Sequence, residues 1–328
     1  MFKKPETIEE ILKQVSNPEF SKRKPVVGLV VGGPSRDFDA AISLKKKGWI
    51  ELKLLGDREQ IGKLMLEAWM EPDYYEIEQC VNPNEQIKFL QNWCKNGEVD
   101  VLLHGDMTPR QLYHLLSNPY HRLPLENGVT RACVLSLPSY PKLLTIAGHA
   151  RPGPPSYDSL VIHLKNSVHL CRALGIERPK IAFLSPMDEV GIDDFHTYNC
   201  QVITSMVGQE QISGVDVEGP LSFDTAIDPW TAEQRNRIGP VAGQADVIIV
   251  DSHQTRSVLA LTLSSFGEAY SARILLGGKV PIAILPQAKG DEIDEIAAIG
   301  LALSVVPYLK KADPLDWLTH PDPMDYAW

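Results

Sequence analysis

Eight runs rich in Val, Ile and Leu recur along the chain, and the stretches between them carry helical spacing. No other feature narrows the fold as far. The runs are PVVGLVV, IELKLLG, VDVLLHG, RACVLSLP, KLLTIAGH, PKIAFLSP, ADVIIVDS and ARILLGGKVPIAILP. Continuous apolar runs suit strands buried on both faces, as in a parallel sheet covered by helices. Helical patterns over 36–47, 58–69, 84–96, 156–174 and 291–310 fill the intervals, so the expected class is α/β with open sheets. Two places break the alternation. RACVLSLPSYPKLLTIAGH and ARILLGGKVPIAILP each set two strands almost end to end, the second around Gly277-Gly278, and both are expected as antiparallel pairs in a mixed sheet. HARPGPPSYDS is expected to be a hinge or loop ahead of the long helix. The border between a first and a middle domain is placed near residue 138.

The chain of 328 residues is long enough for two ordinary domains. Its formal charge of −10, with no long Lys/Arg run, argues against a nucleic-acid or anionic-membrane surface and leaves small molecules or proteins as partners. No apolar run reaches membrane-spanning length. The start, MFKKPETIEEILKQ, reads as an amphipathic helix with a Thr7/Glu10 capping box and not as a signal peptide, so a soluble, cytoplasmic protein is expected. Cys80, Cys94, Cys133, Cys171 and Cys200 include no C-x-x-C and are odd in number, so reduced thiols are expected, with Cys133 and Cys171 in the core. The tail ADPLDWLTHPDPMDYAW, with its three prolines, is expected to pack as an extended strap.

In open α/β sheets ligands bind at the carboxyl ends of the strands. Those ends are polar here. Gly32-Gly33-Pro34-Ser35 follows the first strand; it suits a tight turn with Ser35 as a helix cap, or a phosphate cradle made of backbone donors. His104-Gly105-Asp106 follows VDVLL, with Arg110 and His114 in the next helix; His149-Ala150-Arg151 follows KLLTIAG, and His253 and Arg256 follow ADVIIVDS. Clustered imidazoles can hold a metal or move protons, yet no tight ligand spacing accompanies them. His163 and His169 fall in a helical pattern and are expected at the surface or half-buried. DVEGPLSFDTAI ends a strand at Glu218-Gly219-Pro220 and offers Ser222 and Asp224 as it enters a short helix. ILPQAKGDEIDEIAAIGLAL loads the start of the last helix with Asp291, Glu292, Asp294 and Glu295. Acids there complement the helix dipole, and the question is whether that is all they do.

The segments CRALGIERPKIAFLS, ISGVDVEGPLSFDTAI, PVAGQADVIIV and ILLGGKVPIAILPQAKGDEIDEIAAIGLAL resemble, in order and at fitting distances, the phosphate acetyl/butyryltransferase family, nearer its butyryl branch. Weaker similarity through VDVLLHGDMTPRQLYHLL and VVGLVVGGPSRDFDAAISLKKKGWIELKLLGDREQI extends this over nearly the whole chain. The resemblance implies two α/β domains with open mixed sheets, helices on both faces and a cleft between them, the architecture shared with isocitrate and isopropylmalate dehydrogenases. It implies a first domain of 1–138 with 290–328, and a middle domain of 139–289 that dimerises. It also implies acyl transfer between coenzyme A and phosphate, with the coenzyme A thioester as substrate and no bound cofactor.

The site positions depart from the family pattern. A Ser-Arg pair after the last strand is Gln287-Ala288 here, a Lys-Gly is His104-Gly105, a helical Arg is His114, and Glu-Ala-Gly-Asn is Gln254-Thr255-Arg256-Ser257. The family's proposed base for the thiol of coenzyme A is matched by Asp294. The resemblance therefore implies Asp294 as base, with His104 and Gln287 on the carbonyl oxygen. Gln or Ala cannot restore an arginine's bidentate charge, so Lys289 with Arg110 or Arg151, or else Arg256, is expected to hold the anion. His114, His149, Gly219, Ser222, Asp224 and His253 complete the expected substrate site, with no metal. Two further readings stand beside this one: a non-catalytic ligand-binding homologue, and a metal-dependent enzyme on the same fold.

Overall fold

The structure is a computed structural model that describes residues 4–17, 20, 23–72, 75–108, 111–112, 128–150, 156–191, 193–278, 280–286 and 292–311. In chain order the elements are α1 (Ile8–Ser16), β1 (Val26–Val31), α2 (Arg36–Lys46), β2 (Glu51–Gly56), α3 (Arg58–Glu67), β3 (Glu76–Gln79), α4 (Pro83–Asn96), β4 (Val101–Leu103), β5 (Thr130–Ser136), β6 (Leu144–His149) and α5 (Tyr157–Ala173). There follow β7 (Lys180–Leu184), α6 (Phe195–Gly208), β8 (Asp216–Leu221), α7 (Phe223–Ile227), α8 (Pro229–Gln234), β9 (Val247–Val250), α9 (His253–Phe266), β10 (Tyr270–Leu276), β11 (Ile282–Ile284) and α10 (Glu292–Leu309). Two compact units result. One comprises Thr7–Val129 and Tyr270–Pro307, the other Met1–Glu6, Thr130–Ala269 and Tyr308–Trp328.

In the first unit the strands run β3-β2-β1-β4-β11-β10. Neighbours are parallel except at the end, where β10 pairs antiparallel with β11, Arg273 opposite Ile284. The second unit runs β5-β6-β9-β7-β8, with β5 antiparallel to β6 and the rest parallel. Both antiparallel pairs expected from the sequence are present. The helix starts follow local chemistry: Ser35, Asp57, Asn82, Ser156, Asp194 and Ser252 each accept a backbone N–H from the first turn of the helix they precede. Helix α10 is buried from Ile296 to Val306 and carries its charged residues at its start.

The units divide at 130 and 270, where the sequence reading placed borders at 138 and 289. Strand pairing is the reason. Residue 138 lies between β5 and β6, which share a ladder, and β11 is hydrogen-bonded to β4, so 270–289 belongs with the first unit. Strand β3 was not anticipated: EIEQ is short and polar, and only Ile77 turns inward. Strand β8 runs through Glu218, Gly219 and Pro220, the last two joined by a cis peptide, and ends at Leu221, one residue beyond the end expected from the sequence. His163 and His169 are 2% and 6% exposed, not at the surface, because α5 is covered all the way from His163 to Cys171. All five cysteines are free and buried. The tail strap lies outside the described residues.

Candidate functional site

In the first unit β1, β4 and β11 run parallel, so their carboxyl ends share one edge. After β1, Ser35 Oγ accepts the Phe38 N–H at 3.3 Å, the cap expected there. The Gly32 N–H donates to Asp106 Oδ2 at 2.8 Å, and Gln60 Nε2 donates to the Gly32 carbonyl at 3.1 Å. The chain's own carboxylate thus occupies the donor that a phosphate cradle would need. After β4, half-buried His104 has Nδ1 3.2 Å from the Gly105 carbonyl, and Asp37 Oδ2 accepts the Gly105 N–H at 2.7 Å. Burial raises the Asp37 carboxyl above its ordinary value, against the Gly105 hydrogen bond and the nearby His104.

After β11, Arg36 closes the group. Its Nη1 donates to the Pro286 carbonyl at 3.2 Å, and its Nη2 lies 3.5 Å from Glu295 Oε1. Lys47 pairs with Glu292. Asp294 stands half-buried in the same first turn of α10, between the two ion-paired glutamates. The opening acids of α10 therefore do more than cap: they tie the helix start to α2. Sequence reasoning missed Arg36 and Asp37, and named Asp106 without giving it a role. The Arg36-Asp37 pair directly after a cap residue at a strand's carboxyl end was the available signal. Gln287, Lys289, Arg110, His114 and Arg151 lie outside the described residues.

In the second unit β6, β9, β7 and β8 likewise share a carboxyl edge. His149 ends β6, and its ring meets that of His163 edge-on, centroids 4.7 Å apart at 85°. His163 Nδ1 is 2.9 Å from Thr130 Oγ1, which also accepts from Asn166 Nδ2 at 2.8 Å. Burial, then the charges of His149 and Arg256, push the His163 imidazole down to about 3, so it is neutral under ordinary conditions. His253, in the first turn of α9, is also held below its ordinary value by burial and by Arg256, Arg131 and His149. Arg256 is 3% exposed, with Nε donating to the His149 carbonyl at 3.2 Å and Nη2 to Ser257 Oγ at 2.9 Å. It binds α9 to the end of β6.

Gly219 serves packing: a Cβ there would stand 2.6 Å from Phe183 Cβ and 3.3 Å from Cys200 Cβ, so its absence lets β8 sit against β7 and α6. Ser222 and Asp224 join a group the sequence did not reveal. Asp188 accepts the Ser222 N–H at 2.6 Å, Thr225 Oγ1 at 2.9 Å and Arg235 Nη1 at 3.2 Å, while Arg235 Nη2 donates to Asp224 Oδ2 at 2.6 Å. Burial works to raise the Asp188 carboxyl, but the Ser222, Thr225 and Arg235 hydrogen bonds outweigh it, leaving it below the ordinary value. Its contribution is therefore present above the ordinary carboxylate range and lost as pH falls through its own lower midpoint. Asp188→Ala is expected to cost about 2 kcal/mol at neutral pH, and less in acid, by denaturant unfolding at several pH values.

His196, Cys200 and Asp251 look like a nucleophilic grouping but do not form one. His196 Nε2 is bound to the Leu184 carbonyl at 2.8 Å, Nδ1 lies 3.7 Å from Asp251, and burial pushes the Cys200 thiol up to about 12. Among the described residues no group of three or more His, Cys, Asp or Glu side chains is placed to hold a metal ion, and no helix is long and apolar enough to cross a membrane.

The chain is 28% identical over 250 residues to a probable phosphate butyryltransferase of Bacillus subtilis, covering 76% of this chain and 83% of the relative. It is 26% identical over 239 residues to a phosphate acetyltransferase of Thermotoga maritima, covering 73% and 81%. Among solved structures, a branched-chain phosphotransacylase from Enterococcus faecalis superposes with a TM-score of 0.70 at 20% identity, covering 86% of this chain and 99% of that one. A phosphotransacetylase from Streptococcus pyogenes gives 0.71 at 17%, covering 92% and 98%. At those identities the structures speak for the fold alone. The family model for phosphate acetyl/butaryl transferase matches residues 76–301, well over half of the sequence, so the chain belongs to that family.

Proposed function

We propose that the chain transfers an acyl group between coenzyme A and phosphate. The observation that carries this reading is the family match, which runs through β4, β11 and the start of α10 in the first unit and through β6, β7, β8 and β9 in the second. Asp294 takes the proton of the coenzyme A thiol; the thiolate attacks the carbonyl carbon of an acyl phosphate, the C–O bond to phosphate breaks, and phosphate leaves as the thioester forms. His104 and Gln287 donate to the carbonyl oxygen as charge develops on it. Arg36, which pairs with Glu295, adds a cation at the start of α10, and Lys289, Arg110 and Arg151 are assigned to the anion. His149, His253, Ser222 and Asp224 are assigned to substrate binding. The finer reading is a cytoplasmic homodimer that needs no resident cofactor.

The test is an assay of acyl-coenzyme A, from acetyl to octanoyl, with and without phosphate, reading released thiol. Phosphate-dependent release with at least one acyl chain is the expected result; none with any chain removes the catalytic reading. Replacement of the Ser-Arg pair by Gln287-Ala288 favours one alternative, a homologue that binds coenzyme A without turnover. Calorimetry with coenzyme A separates the two.

A further inference from the structure

Asp37 makes a contact that its own helix does not need. It is the second residue of α2, where an acid ordinarily serves the helix dipole from the surface. Ser35 already caps that helix, and Asp37 is half-buried, its Oδ2 accepting the Gly105 N–H at 2.7 Å. The turn it holds has no slack. Gly105 stands at φ +54°, and a Cβ there would lie 2.6 Å from the Val30 carbonyl oxygen. The His104 N–H donates to the Ala283 carbonyl at 3.0 Å, and the His104 carbonyl accepts the Met107 N–H at 3.2 Å.

The same turn sets the imidazole. His104 Nδ1 lies 3.2 Å from the Gly105 carbonyl oxygen, an atom that can only accept, so Nδ1 carries a proton. For Nε2 to donate to a substrate carbonyl as well, the ring has to hold both protons, and an imidazolium away from bulk water needs a carboxylate near it. Asp37 supplies one: burial raises its carboxyl, while the Gly105 hydrogen bond and the attraction of His104 oppose that. The other charged groups around the pair are Asp106, exposed on the turn itself, and Arg36 of α2, which is engaged with the Pro286 carbonyl and Glu295. Strands β1 and β11 meet the turn through the backbone carbonyls of Val30 and Ala283. We propose that Asp37 is a positioning residue for acyl transfer: it fixes the turn through Gly105 and is the counter-ion that lets His104 carry the second proton, on Nε2, toward the carbonyl oxygen. The role in transfer rests on the acyl-transfer reading; the pairing of Asp37 with His104 does not.

The experiment compares the full chain with Asp37→Asn, which keeps an oxygen for the Gly105 N–H and removes only the charge. Because burial disfavours the carboxylate at that position, the variant should match or exceed the thermal midpoint of wild type. Ring-nitrogen NMR follows the His104 imidazole across pH, assigned by its loss in His104→Gln, and kcat/KM for phosphate-dependent thiol release is measured over the same range. In Asp37→Asn the ring is expected to give up its second proton about one pH unit lower than in wild type, and the alkaline fall of kcat/KM to move down with it. A neutral ring protonated at Nε2 in wild type, or the same titration in both proteins, overturns the proposal. A ring that shifts while the kcat/KM profile stays in place overturns the part of Asp37 in transfer. A shifted ring in a protein without phosphate-dependent thiol release leaves the pair standing and removes the acyl-transfer reading.

Discussion

Asp294→Asn is expected to lower kcat for acyl transfer by about a hundred- to ten-thousand-fold with little change in KM, because general-base assistance is commonly worth that much. The side chain keeps its size, and loss of one acid from the start of α10 costs only about 0.3–1 kcal/mol of dipole stabilisation. The neighbours supply the contrast. Glu292 and Glu295 stand in the same turn and pair with Lys47 and Arg36. Glu292→Gln and Glu295→Gln should therefore cost a similar small amount of stability while leaving kcat within a few-fold of wild type. Steady-state kinetics on the three variants, with thermal midpoints measured in parallel, separate a base from a cap. Three equal, small effects on kcat would mean that the acids only secure the helix.

The sequence was most legible where one physical cause dominates. Val- and Ile-rich runs such as VVGLVV and VIIV can be satisfied only inside a covered sheet, and they became β1 and β9. The short link between β10 and β11 could only turn back on itself. EIEQ was illegible as β3 because an edge strand with one buried residue has no apolar run to announce it. The buried imidazole of His163 was illegible for another reason: its cover comes from tertiary contacts, and its partner Thr130 lies thirty-three residues away. The same holds in the site. Strand-end histidines could be listed from position alone, but the placing of Asp37 against Gly105, Arg36 against Pro286 and Asp188 against Ser222 depends on which loops the sheet brings together. Gly219, read as part of a substrate loop, sits where Phe183 and Cys200 leave no room for a side chain, a constraint that spacing does not encode.

Gly148→Ala is expected to destabilise the second unit by about 3 kcal/mol, lowering its thermal midpoint by roughly 6–12 °C. Gly148 pairs with Val250 where β6 runs beside β9, and an added Cβ would stand 2.3 Å from the Val250 carbonyl oxygen. That oxygen belongs to the backbone of a neighbouring strand and cannot rotate away, so the ladder itself must open. Arg256 Cδ lies 3.5 Å from the same point, which closes the other direction. The next residue is His149, whose carbonyl receives the Arg256 Nε and whose ring rests against His163. Separating β6 from β9 therefore also displaces the His149 imidazole, which is assigned to the substrate. His149→Ala is the comparison: it removes the ring but leaves the backbone approach intact, and should spare most of the stability. A Gly148→Ala protein as stable as wild type would mean that the two strands do not approach this closely, and the placement of His149 and Arg256 at the end of β6 would fall with that contact.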